Sequence, residues 1–77
     1  MYLTHAVSKR ILELCRQKNL SINKLSLNCG ITQSTINDIV NCKYKSTSLI
    51  TIYNICIGLN INIKEFFNSD LFENINE

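Results

Sequence analysis

The sequence predicts an all-α domain, a compact bundle of five short helices. Three observations point there. The 77 residues contain no Pro and only two Gly, Gly30 and Gly58, fewer turn residues than a β-sandwich or barrel needs. Apolar side chains recur every three or four positions along most of the chain. A Ser, Thr or Asn also stands just ahead of four of the five apolar-periodic stretches, where a helix start is best served by a side-chain cap.

The first helix is predicted over about residues 4–18. Val7, Ile11, Leu14 and Cys15 form its apolar face, with Leu3 a turn earlier, and Lys9, Arg10, Glu13, Arg16 and Lys18 take the other face. Asn19 closes it in a left-handed conformation and Leu20 enters the core. Ser21 caps a second helix, about 22–28, with Leu25 and Cys29 inward, and Gly30 ends it. Ile31 returns to the core, and Thr32 caps a third helix, about 33–41, burying Ile36, Ile39 and Val40. Residues 41–47 are mostly polar and read as a loop. Ser48 caps a fourth helix, about 49–58, with Leu49, Ile52, Ile55 and Cys56 on one face. Asn62 caps a fifth, with Ile63, Phe66 and Phe67 inward.

Composition bounds what such a chain can do. With 45% hydrophobic and 18% charged residues it is built to fold. Twelve Ile and nine Leu supply a core, yet at this length there is room for one modest core and no second domain. No run of ~18 apolar residues exists, so no membrane span is expected. The N-terminal stretch lacks a secretion pattern, which leads us to expect a cytoplasmic protein. Cys15, Cys29, Cys42 and Cys56 have no close pairs of the kind zinc prefers, and three of them fit apolar helix faces; they read as reduced core thiols rather than bridges or ligands. No catalytic pairing of nucleophile and base, and no cofactor or small-molecule motif, is visible, so an enzyme is not expected.

The net charge of +2 hides an asymmetry. Residues 1–45 carry Lys9, Arg10, Arg16, Lys18, Lys24, Lys43 and Lys45 against Glu13 and Asp38, a balance of +5. Residues 46–77 carry Lys64 against Glu65, Asp70, Glu73 and Glu77, a balance of −3. A basic front suits an anionic partner, and an acidic rear suits solvent. The front also contains the informative unit: a short helix, a turn at Gly30 and a second helix, over residues 21–41. Two helices joined by a Gly-containing turn of three or four residues describe a helix-turn-helix, whose second member lies in the DNA major groove. Ser26 is small where the helices approach closely.

These residues resemble the Cro/cI-like (XRE-type) phage-repressor helix-turn-helix domain of bacteria and their phages, whose fold is the lambda-repressor-like bundle. The resemblance runs over about residues 9–68. It is carried by Arg10-Ile11 with Leu14, Leu20-Ser21 with Leu25-Ser26, the stretch Gly30 to Ile36, then Ile39, Asn41 and Lys43. Ser48-Leu49 with Thr51-Ile52 and Ile55, Leu59 with Ile61, and Glu65-Phe66-Phe67 complete it. It implies residues 1–68 as the DNA-binding domain and 69–77 as a tail. There are three departures. Cys15 and Val40 stand where the family commonly pairs Arg with Glu; with both ends apolar, the two are expected to touch in the core. Cys42 stands where Gly is favoured, so Asn41 or Cys42 must make that turn. Ile22 replaces a frequent phosphate-binding Gln, leaving a backbone amide for that role.

The outward face of the third helix carries Gln33, Ser34, Asn37 and Asp38. The resemblance assigns base reading to its first, second and sixth residues, here Gln33, Ser34 and Asp38. The chemistry fits: Gln and Asn pair bidentately with adenine, Ser reaches several bases, and Asp accepts from cytosine. Backbone contacts are expected from Ser21, Lys24, Thr32, Asn41, Lys43, Tyr44 and Lys45. The partner is then double-stranded DNA, bound by a homodimer on half-sites ~34 Å apart. Phe67, Leu71 and Ile75, at four-residue spacing, with Phe72, are the expected dimer surface; the competing reading is that they fold back on their own domain. The competing function is a protein-interaction module on the same fold, an antitoxin or an antagonist of another regulator.

Overall fold

A computed structural model describes residues 1–76; Glu77, counted in the acidic rear, lies outside the described residues. Five helices follow one another: α1 Leu3–Gln17, α2 Ile22–Cys29, α3 Gln33–Val40, α4 Leu49–Leu59 and α5 Ile63–Phe67. A 3₁₀ turn, Asp70–Phe72, closes the chain. The bounds expected for the first four helices agree to within one residue, and no strand occurs among the described residues.

The agreement has a local cause. Ser21 Oγ accepts from the Lys24 amide at 3.0 Å, Thr32 Oγ1 from Thr35 at 3.2 Å, Ser48 Oγ from Thr51 at 3.1 Å and Asn62 Oδ1 from Glu65 at 2.7 Å. Each side chain satisfies an amide that the helix leaves without a partner, which fixes where the helix begins. Three helix ends share a second device. Leu20 donates to the Cys15 carbonyl, Lys43 to Asp38 and Ile61 to Cys56, each five residues back, around a residue at positive φ. Those residues are Asn19, Cys42 and Asn60, at φ 55°, 58° and 59°. This is the Schellman closure, and Leu20 and Ile61 then pack against the core. Cys42 therefore makes the turn for which the sequence offered Asn41 or Cys42, with its side chain half-buried. Gly30 closes α2 at φ 71°, where a side chain would be strained even though the space is open.

The core is drawn from all five helices. Val7, Ile11 and Leu14 of α1 meet Leu25 of α2, Ile36 and Ile39 of α3, Ile52, Ile55 and Leu59 of α4, and Phe66 of α5. α2 and α4 approach closely at Gly58: a β-carbon there would lie 2.7 Å from the Cys29 β-carbon and 3.1 Å from the Cys29 amide nitrogen. α2 thus lies directly on α4, and α1 and α2 both support α3.

One expectation is corrected here. Arg10 is not on the solvent face of α1; its side chain is 9% exposed. Its Nε donates to the Phe66 carbonyl at 2.7 Å, and Nη2 donates to Glu65 O at 2.8 Å and to Asn68 O at 3.5 Å. Nη1 pairs with Glu13 at 2.6 Å. The guanidinium fork supplies donors to the carbonyl end of α5. Its position is three residues from Val7 and four from Leu14, so it does belong to the buried stripe. Cys15 is buried in the core and Val40 packs against that core, while the Val40 carbonyl accepts from the Ser8 hydroxyl.

The tail follows the reading that folds it back. The Phe72 ring lies 4.9 Å from Phe67 and 6.2 Å from Phe66, and the Asn76 amide donates to the Met1 carbonyl at 2.9 Å. Phe67, Leu71, Phe72 and Ile75 are all half-buried against their own chain. These four side chains are thus partly covered by their own chain.

Candidate nucleic-acid interface

α2 and α3 present their N-terminal turns, and α3 is fixed from below. Ile36 and Ile39 are buried, Val40 packs on the core, and α3 rests against both α1 and α2. Gln33 and Ser34, the first two residues of α3, are thereby left exposed. Asn37 and Asp38, a turn later, are half-buried.

Gln33 is held in place. Its Oε1 accepts from Asn23 Nδ2 at 2.8 Å, a bond from the first turn of α2 to the first turn of α3. This orients the amide: Oε1 points at Asn23 and keeps a second lone pair, while Nε2 keeps both protons. An adenine edge needs one acceptor and one donor in that order. Sequence reasoning missed Asn23. The signal was available in its position beside Ile22, where the family's side chain to DNA is missing, ten residues ahead of Gln33.

Asp38 is engaged within the chain. The Tyr44 hydroxyl donates to its Oδ2 at 3.2 Å, and Lys43 Nζ lies 3.5 Å from Oδ1. The Tyr44 phenol is held above its ordinary pKa by desolvation, then by the hydrogen bond and charge of Asp38. The three residues form one cluster at the end of α3, in which the Asp38 carboxylate is engaged by Tyr44 and Lys43.

The expected phosphate contacts sort by what their side chains already do. Ser21 and Thr32 are spent as acceptors on their caps, and Thr32 also donates to Thr35 Oγ1 at 2.9 Å. Lys24, Asn41, Lys43, Tyr44 and Lys45 are exposed. Ile22 is half-buried and packs against the core. The described residues contain no group of three His, Cys, Asp or Glu able to hold a metal ion, and no helix among them is long and apolar enough to cross a membrane.

A scan against family models matches residues 10–70 to the Cro/C1-type helix-turn-helix DNA-binding domain. The chain belongs to this family. It is therefore a DNA-binding helix-turn-helix domain, in a family of regulators rather than of enzymes. Solved structures agree. The prophage Lp1 protein 11 is 30% identical, with a TM-score of 0.82 over 97% of this chain and 100% of that one. The restriction-modification controller protein C.AhdI from Aeromonas hydrophila is 25% identical, with a TM-score of 0.75 over 83% of this chain and 96% of that one. The controller protein C.Esp1396I shares the fold, at 19% identity and a TM-score of 0.82 over 95% of this chain and 92% of that one. No curated protein sequence matches.

Proposed function

We propose that this Cro/C1-type domain is a sequence-specific transcriptional regulator. It occupies an operator as a homodimer in the cytoplasm and represses by that occupancy. α3 enters the major groove, with Gln33 and Ser34 at the base edges. The observation that carries this reading is the Asn23–Gln33 bond. An exposed glutamine held in one orientation at the head of a recognition helix loses less side-chain entropy when it meets a base. The exposed Lys24, Lys43 and Lys45 supply the phosphate contacts, with Ser21 and Thr32 capping the two helices that approach the backbone. The likeness to a prophage protein and to restriction-modification controllers favours a regulator of its own neighbouring genes.

The test is a gel shift with the intergenic fragment upstream of the chain's own reading frame. Wild-type protein should shift it in a salt-dependent manner, and Gln33→Ala plus Ser34→Ala should weaken binding to that fragment by tenfold or more while sparing the weaker binding to random DNA. A protein-interaction module on the same fold would shift no such fragment at any salt concentration, and that outcome would reject the proposal.

A further inference from the structure

Lys9 and Arg16 stand outside the expected base and phosphate contacts. Both lie on α1, both are exposed, and neither forms an ion pair among the described residues. His5, Lys9, Leu12 and Arg16 are all exposed and follow one another at intervals of four, three and four residues. They therefore form one edge of the helix, ~16 Å long. No acid interrupts this edge, because Glu13, the one carboxylate of α1, is turned aside to Arg10 at 2.6 Å. Both ends of the edge reach residues expected at the DNA backbone. At the first, the Ser8 hydroxyl donates to the Val40 carbonyl and the Cys42 thiol donates to the Thr4 carbonyl at 4.0 Å. The first two turns of α1 are thereby held against the end of α3, and Tyr2 and Thr4 line one surface hollow with Lys43, Tyr44 and Lys45. At the other end, Arg16 lines a second hollow with Asn19 and Ser21, the cap of α2.

We infer that α1 is a third DNA-backbone element, in which Arg16 extends the contact made at the start of α2 and Lys9 extends the contact made by the loop after α3. This rests on the reading that places α3 in the major groove. Charge and place together select the partner. Duplex DNA carries one negative charge per ~1.7 Å of its axis, so a basic edge of this length meets several phosphates. The major groove is only ~12 Å wide, so an element packed beside an inserted helix faces a sugar-phosphate strand. α1 is packed in that way, directly against α3. An acidic protein would answer the charge equally well, but it gives no reason for the edge to end beside Ser21 at one end and beside Lys43 and Lys45 at the other. Arg16 suits a phosphate in particular, because its planar fork offers two parallel donors. Neither residue reads a base. The contact therefore raises affinity for every sequence and orients α3 without choosing the operator.

Fluorescence anisotropy of the full chain with a labelled duplex of random sequence, over a series of sodium chloride concentrations, tests this. Lys9→Ala and Arg16→Ala should each flatten the slope of log affinity against log salt by about 1, and the double variant by about 2. Lys9→Arg and Arg16→Lys keep the charge and should keep the wild-type slope. Both side chains are exposed, so urea unfolding of all these variants should keep the wild-type midpoint. Lys64→Ala removes an exposed lysine from α5 and should leave the slope unchanged. An equal flattening by Lys64→Ala would reduce the effect to net charge and overturn the assignment. Alanine variants of Lys9 and Arg16 with the wild-type slope, beside a Lys24→Ala variant that loses about 1, also overturn it. The domain then binds DNA without α1, and the basic edge belongs to an acidic protein. A wild-type chain that binds no duplex at low salt rejects the DNA reading itself, and the inference with it.

Discussion

Arg10 decides more of the structure than any other polar residue. Three carbonyls at the end of α5 and the Glu13 carboxylate converge on one guanidinium. α5 is only five residues long and could not hold its last turn alone, because a helix that short has too few internal bonds to repay its nucleation. Arg10 ties it to α1 from across the core. A lysine offers a point charge in place of the planar fork and cannot reach Phe66 and Glu65 together. Arg10→Lys should therefore destabilise the fold by about 2 kcal/mol in urea unfolding, since it leaves buried carbonyls underbonded. A loss below about 0.5 kcal/mol would show that the fork is dispensable. Position alone marked this residue: it lies on the Val7–Leu14 stripe, and its charge misdirected the sequence reading to the solvent face.

The elements were legible wherever the cause was local. Caps at Ser21, Thr32, Ser48 and Asn62 and the left-handed Asn19 and Gly30 are properties of a few adjacent residues, so the chain announces them. The contacts that cross between helices were not announced, the Asn23–Gln33 bond and the Asp38–Tyr44–Lys43 cluster among them, and the fold-back of the tail onto Phe66 and Phe67 stood only as one of two readings. Each depends on which faces α2, α3 and the 3₁₀ turn present to one another. Periodicity gives a helix its buried face but not its neighbour. α4 illustrates this: its buried face was foreseen, apart from Leu49, while its apolar outer face passed as surface. Gly58 is a second case, a glycine inside a helix whose reason lies on another helix. Gly58→Ala should raise helix propensity by about 1 kcal/mol and yet destabilise the domain by about 1–3 kcal/mol. The added carbon would press on the Cys29 β-carbon and amide, which cannot rotate away. Thermal unfolding measures it, and a rise in Tm would mean that α2 can shift from α4 freely.

At the scale of the whole molecule, the modest net charge of +2 conceals a working distribution. Arg10 is buried against α5 and adds nothing to the field outside. Lys24 and Lys45 are exposed and form no ion pair among the described residues, whereas Lys43 shares its charge with Asp38. Each lysine that neutralises a DNA phosphate releases a counterion and steepens the dependence of affinity on salt by about 0.9. Lys24→Ala and Lys45→Ala should each flatten the slope of log affinity against log salt by about 1, equally on operator and random DNA. Lys43→Ala should flatten it less, because its charge is already partly answered. Asp38→Asn gives the opposite sign. It removes a carboxylate facing phosphates and frees Lys43, so affinity should rise on operator and random DNA alike. If Asp38→Asn instead weakens binding to the operator alone, then the carboxylate leaves Tyr44 to accept from a cytosine, and Asp38 joins Gln33 and Ser34 in reading the sequence.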